Sequence, residues 1–182
     1  MLNEIRSSRI PHPKETELKP FLFLALAVFG TAQPSQDKIT KEVRHELVML
    51  PYYGVFDNLA YRVDGAKVTL FGQVTKPTLK SDAEHVVKKI EGVQNVDNEI
   101  EVLPLSPNDD QIRRAAYRQI YSKPPLQRYQ MGAVPPIHII VKNGNITLVG
   151  VVDSQTDKDL AGVAANGVPG SFKVTNDLVV GK

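Results

Sequence analysis

A chain of 182 residues with 22 basic and 20 acidic side chains carries a formal charge of only +2, which excludes a strongly basic nucleic-acid binder. It contains no cysteine, so disulfide staples, a thiolate nucleophile and a thiolate metal site are excluded as well. The length suits one ordinary domain or two small ones.

Residues 1–32 are expected to be a secretory signal peptide. Phe21 to Phe29 is an unbroken apolar run of nine residues. A membrane-spanning helix needs about 20. Lys19 precedes the run, and Gly30 and Ala32 follow it as small residues at −3 and −1. Cleavage after Ala32 leaves Gln33 first, and no cysteine follows that would anchor a lipoprotein. The bland alternative is an apolar helix or strand packed on the first domain.

Residues 35–103 read as the first domain. Ile39, Val43, Leu47 and Leu50 draw one apolar stripe, which predicts a helix over Asp37 to Leu50, capped by Ser35 or Asp37 and ended by Pro51. Leu59, Tyr61 and Val63 then alternate as a strand. Asp64-Gly65 signals a type I′ hairpin turn. The next strand puts Val68, Leu70, Gly72 and Val74 on one side, and its mid-strand glycine predicts close approach of the packed helix. Leu79, Ala83, Val86, Val87 and Ile90 mark a second helix over 76–90, closed at Gly92. Val96 to Val102 is the last strand, and the intervening crossover makes it parallel to the central one. Thr69, Phe71 and Gln73 lie on the opposite, half-open sheet face.

Residues 104–107 are a short proline-stiffened linker. Residues 108–180 read as the second domain. Asn108 is expected to cap its first helix, with Gln111 completing a capping box. Ile112, Ala115, Ala116, Gln119 and Ile120 form the buried side, with Arg113, Arg114 and Arg118 off it. The four prolines of 123–136 forbid a helix there. Ile137, Ile139 and Val141 alternate in a strand, Asn143-Gly144 is the hairpin turn, and Ile146 to Val152 is the central strand. Asp153 is expected to cap a helix carrying Leu160, Ala161, Ala164 and Val168, and Phe172 to Val180 ends the chain as a strand.

The two domains are copies. Val68-Thr69-Leu70-Phe71-Gly72-Gln73-Val74 superposes on Ile146-Thr147-Leu148-Val149-Gly150-Val151-Val152 with a shift of 78, and the shift carries Lys80 onto Lys158, Gly92 onto Gly170 and Asn98 onto Asn176. The predicted fold is α+β: two tandem α-β-β-α-β units, each a three-stranded mixed sheet with two helices on one face.

These repeated strands, with Gly92-Val93-x-x-Val96-x-Asn98 and Val168-Pro169-Gly170 to Val174-x-Asn176, make the chain similar to the BON domain family over about 37–180. The resemblance implies a secreted, non-enzymatic protein of the bacterial periplasm or envelope. Such members are held to bind anionic phospholipid surfaces or envelope components, often under osmotic or envelope stress. The family supplies no catalytic residues to carry over, and its glycine and asparagine positions are structural.

No catalytic, cofactor or metal site is expected. His12, His45, His85 and His138 lack a helical ligand spacing and read as unrelated surface or edge histidines. Asp153, Asp157 and Asp159 lack the glycine and terminal glutamate of a calcium loop and instead suit a helix start. No phosphate-binding loop, dinucleotide fingerprint or nucleophile elbow occurs.

Charge is unevenly spread. Residues 35–106 hold 9 basic and 11 acidic side chains, about −2, whereas 107–182 hold 9 and 6, about +3. Arg113, Arg114, Arg118, Lys123 and Arg128, interleaved with Tyr117, Tyr121 and Tyr129, form the one basic concentration. Cations with interfacial tyrosines suit a phospholipid head-group layer. The candidate site is therefore Arg113, Arg114, Tyr117, Arg118, Tyr121, Lys123 and Arg128, weighed against a merely solvated helix face. The partner is an anionic membrane surface or envelope component, and no nucleic acid is expected. The alternative is a protein–protein adaptor that uses an open sheet face or edge.

Overall fold

A computed structural model describes residues 35–181, and the expected leader at 1–32 lies outside the described residues. In the first repeat, α1 (Gln36–Val48) starts at Ser35, whose hydroxyl accepts from the Lys38 N–H. β1 (Asn58–Asp64) runs antiparallel to β2 (Lys67–Val74). After α2 (Pro77–Lys88), β3 (Asn95–Asn98) and β4 (Glu101–Val102) both pair parallel with β2. They are one strand interrupted at Glu99-Ile100, and Ile100 turns into the core with 1 % exposure. Val68, Leu70 and Val74 meet Ile39, Val43 and Leu47 of α1 and Leu79, Ala83 and Val87 of α2, so both helices cover one sheet face. Each fully buried Leu or Val contributes roughly 1.5–3 kcal/mol.

The second repeat follows the same plan. It comprises α3 (Pro107–Tyr121), a 3₁₀ helix (Pro124–Gln130), β5 (Ile137–Lys142), β6 (Asn145–Val152), α4 (Gln155–Asn166) and β7 (Lys173–Val180). β6 lies between antiparallel β5 and parallel β7. The superposed asparagines do the same work twice. Asn98 Nδ2 donates to the Lys80 carbonyl at 2.9 Å, and Asn176 Nδ2 donates to the Lys158 carbonyl at 2.7 Å. Each ties the second helix of its repeat to the last strand.

Several expectations are corrected. Gly72 (φ 115°) and Gly150 (φ 128°) are required by the neighbouring strand and not by a helix: an added Cβ would overlap the carbonyl oxygens of Asn58 and Pro136. The first hairpin turns on Gly65-Ala66, and of these only Gly65 has positive φ, so type I′ geometry belongs to Asn143 (φ 52°) and Gly144 (φ 75°) alone. Ser106 caps α3, with Pro107 in the first turn, because the Ser106 hydroxyl reaches the Asp109 N–H at 3.2 Å. Ser154 caps α4 in the same way, accepting from the Asp157 N–H at 3.1 Å, so Asp153 is outside the helix. The proline-rich segment does form a helix. The helix covers only Pro124–Gln130: Pro124 and Pro125 occupy its first turn, where no amide hydrogen is needed, Pro135 and Pro136 lie beyond it, and Leu126 and Tyr129 are buried. Gln119, expected inside, is exposed.

Gln33–Lys182 forms one compact unit, and the repeats meet inside it. The Ile139 N–H donates to the Val55 carbonyl at 2.7 Å. Lys142 pairs with Glu101 at 2.5 Å. Val55 and Phe56 pack against the apolar core of the second repeat.

Candidate functional site

The structure divides the seven expected residues into three groups. Arg113 and Tyr121 are inside. Arg113 is 4 % exposed; its Nη1 lies 2.5 Å from Asp110 Oδ1 and its Nη2 donates to the Val141 carbonyl at 2.7 Å. The expectation that Arg113 lies off the buried side fails because the side chain is long enough to reach the end of β5 from the margin of the stripe. Tyr121 is 4 % exposed and donates to the Ile137 carbonyl at 3.0 Å. Burial, reinforced by Tyr117, pushes its phenol well above the usual range. Neither residue is presented to a surface.

Arg128 and Lys123 stand apart from α3. Arg128 Nη2 sits 2.5 Å from Asp157 Oδ2, and its Nε is 3.2 Å from Asp153 Oδ2. Asp157 Oδ2 also accepts from the Ser154 hydroxyl at 2.6 Å and the Tyr129 hydroxyl at 3.0 Å. The Ser154 bond, against the opposing effect of burial and with help from Tyr129 and Arg128, holds the Asp157 carboxyl below its usual range. This cluster staples the 3₁₀ helix to the start of α4, and its cation is already neutralised. Lys123 is half-buried at the entrance to the 3₁₀ helix.

Arg114, Tyr117 and Arg118 are brought together. The two arginines are one helical turn apart and exposed, and among the described residues neither forms an ion pair. Tyr117 lies between them and packs on Tyr121 with ring centroids 4.9 Å apart. With Val55 and Phe56 they line a shallow groove of about 320 Å³. Phe56 meets Tyr117 edge-on, with centroids 6.2 Å apart.

The contribution of the first repeat was missed in the sequence. Pro51 to Asp57 has no helical or strand period to read. Its density of apolar and aromatic residues (Tyr52, Tyr53, Val55, Phe56) was the available sign of a packed loop. The Asp57 carboxylate anchors it, accepting from the Thr75 N–H at 2.6 Å, the Thr75 hydroxyl at 2.8 Å and the Gly54 N–H at 3.3 Å. His138 is also placed differently from expectation. It lies on an edge strand but is 8 % exposed, because the loop covers it.

Among the described residues no group of three or more His, Cys, Asp or Glu side chains is disposed to hold a metal ion. No helix among them is long and apolar enough to cross a membrane.

The model of the family described as BON domain matches residues 35–104 and again 108–182. Two solved structures of CdsD, a structural protein of the type III secretion system of Chlamydia trachomatis, are similar to this chain. The one of its C-terminal domain is 12 % identical, covers 82 % of this chain and 100 % of its own, and has a TM-score of 0.31. The other is 12 % identical, covers 80 % and 94 %, and has a TM-score of 0.29. No curated protein matches the chain.

Proposed function

Since this chain belongs to the BON domain family, whose members are envelope-associated binding modules, we propose that it is a non-enzymatic protein that attaches peripherally to anionic phospholipid surfaces of the cell envelope. The role fits conditions of envelope or osmotic stress, reached by export through the leader at 1–32. The observation that carries the reading is the pair Arg114 and Arg118, exposed and without ion-pair partners among the described residues, beside Val55, Phe56 and Tyr117. Each arginine near an anionic surface contributes about 1 kcal/mol within a Debye length of about 8 Å. Two arginines alone give about 2 kcal/mol, so attachment is reversible and leans on apolar contact as well.

Flotation of the protein with phosphatidylglycerol-containing and pure phosphatidylcholine vesicles tests this. The parent floats with the anionic vesicles only, and less so as salt is raised. Arg114→Gln with Arg118→Gln stays at the bottom of the gradient. A double variant that floats as well as the parent refutes the reading.

A second reading has one observation in its favour. Val151 and Val179 are register partners on the outer face of the second sheet and are 52 % and 61 % exposed. A partner chain that covers this valine pair would make the protein an adaptor. Replacement of both valines by threonine would then lower capture of the partner and leave vesicle flotation unchanged.

A further inference from the structure

We infer that the anionic-lipid site is shared between the repeats, with Phe56 and Val55 of the first repeat supplying the apolar contact beside the arginines of the second. This rests on the anionic-phospholipid reading and adds that the second repeat does not complete the site by itself. The occupant is a single phospholipid at a bilayer surface, with its phosphodiester against Arg114 and Arg118 and its upper acyl region against Phe56, Val55 and Tyr117.

Three observations carry the inference. First, the groove is lined by residues of both repeats, and its two cations share it with three largely carbon-faced side chains. A soluble anion would use the guanidinium groups and leave the apolar wall wet. An amphiphile satisfies both halves.

Second, the loop that carries Phe56 is fixed at several points. The Val55 carbonyl accepts from the Ile139 N–H at 2.7 Å, Tyr53 stacks on His138, and the Asp57 carboxylate binds Thr75 and Gly54. The apolar contact is therefore already in place before a lipid arrives, which removes an ordering cost from binding.

Third, the two other arginines of the second repeat's basic group are committed elsewhere. Arg113 is turned inward to Asp110 and Val141, and Arg128 to Asp153 and Asp157. The cations that line the groove are Arg114 and Arg118, a pair that fits one phosphodiester, and the apolar half supplies the remaining affinity.

The chain has no tryptophan, so Phe56→Trp places a single indole at the proposed contact. With phosphatidylglycerol vesicles its emission should shift to the blue and be quenched by lipids brominated on the acyl chain. Phosphatidylcholine vesicles and soluble glycerol phosphate should do neither. Phe56→Ala should weaken flotation about tenfold while the salt dependence set by the arginines persists. Near-ultraviolet circular dichroism of both variants should match the parent, which guards against a disturbed joint. If the protein floats but the indole emission does not move, the shared site is wrong and the lipid reading survives. If soluble glycerol phosphate shifts the emission as much as vesicles do, the groove takes a free anion and the inference is overturned. If the parent does not float at all, the lipid reading itself fails.

Discussion

Tyr53 of the first repeat stacks on His138 of the second, with ring centroids 5.6 Å apart and planes 15° from parallel. His138 is 8 % exposed, and its Nδ1 has no hydrogen-bond partner among the described residues. Burial lowers its pKa, while the Gly54 and Asp57 carbonyls and the Asp57 charge oppose that shift. The folded state therefore keeps the imidazole neutral longer than the unfolded chain does. For a base with a depressed folded pKa, the unfolded state binds more protons in the window between the two values. Stability is fully present above the unfolded pKa of about 6.5 and falls as the pH drops from there towards the folded value. Asp157 and Glu84, whose carboxyl pKa values are also lowered, lose their contributions further into the acid range. Urea midpoints should fall between pH 7.5 and 5.5, and His138→Gln should flatten that slope. An unchanged slope in the variant would reject the assignment.

Asp109 shows how strongly one carboxylate can fix a turn. It is 1 % exposed, and its two oxygens accept from the Asn143 N–H at 2.9 Å and the Gly144 N–H at 2.8 Å. This holds the β5–β6 hairpin against the first turn of α3. Asp109→Ala leaves two turn amides without their charged acceptor, and a loss of about 2–4 kcal/mol is expected. Asp110→Ala, one position on, removes a carboxylate that is 52 % exposed and takes the ion-pair partner from Arg113, which keeps its bond to the Val141 carbonyl, so it should cost less than Asp109→Ala. Chemical denaturation of the two variants side by side checks the ordering.

Gly72 and Gly150 should behave alike because the repeat makes them alike. Both have positive φ, and both face a neighbouring strand's carbonyl where a Cβ would sit. Gly72→Ala and Gly150→Ala should each destabilise by at least ~2 kcal/mol. Gly54→Ala has open space around its Cβ and is the control. A midpoint for Gly72→Ala equal to that of the control would contradict the close approach.

The elements were legible because their patterns repeat. The stripe Ile39, Val43, Leu47 and the alternation Val68, Leu70, Val74 both lead into the first core. What the sequence concealed depends on the meeting of the repeats. Strand alternation places His138 opposite Ile137 and Ile139, on a face that looks open until the loop from the first repeat covers it. A helical wheel places Arg113 beside Ile112 but does not say that the Val141 carbonyl ends within its reach. Arg114 and Arg118 were visible as charges, whereas Phe56 was not visible as their neighbour, because Pro51 to Asp57 has no period at all.

The arginines of α3 provide the sharpest separation of structure from surface. Arg113 is 4 % exposed and bridges Asp110 and the Val141 carbonyl, while its Nε has no partner among the described residues. Arg113→Gln shortens the side chain and removes the buried charge. The Val141 carbonyl loses its donor, and a cost of about 1–3 kcal/mol is expected. Arg114→Gln and Arg118→Gln remove exposed charges with no ion-pair partner among the described residues, and each should change stability by less than about 0.5 kcal/mol. Vesicle binding should order the same three variants the other way. Arg114→Gln and Arg118→Gln should each weaken attachment to anionic vesicles about fivefold, as expected for about 1 kcal/mol per charge. Arg113→Gln, kept below its unfolding transition, should bind as the parent does. Thermal melts and flotation on the same preparations give both orderings. A stable but non-binding Arg113→Gln would mean that the buried arginine reaches the lipid, and the division of α3 into an inner and an outer arginine face would be wrong.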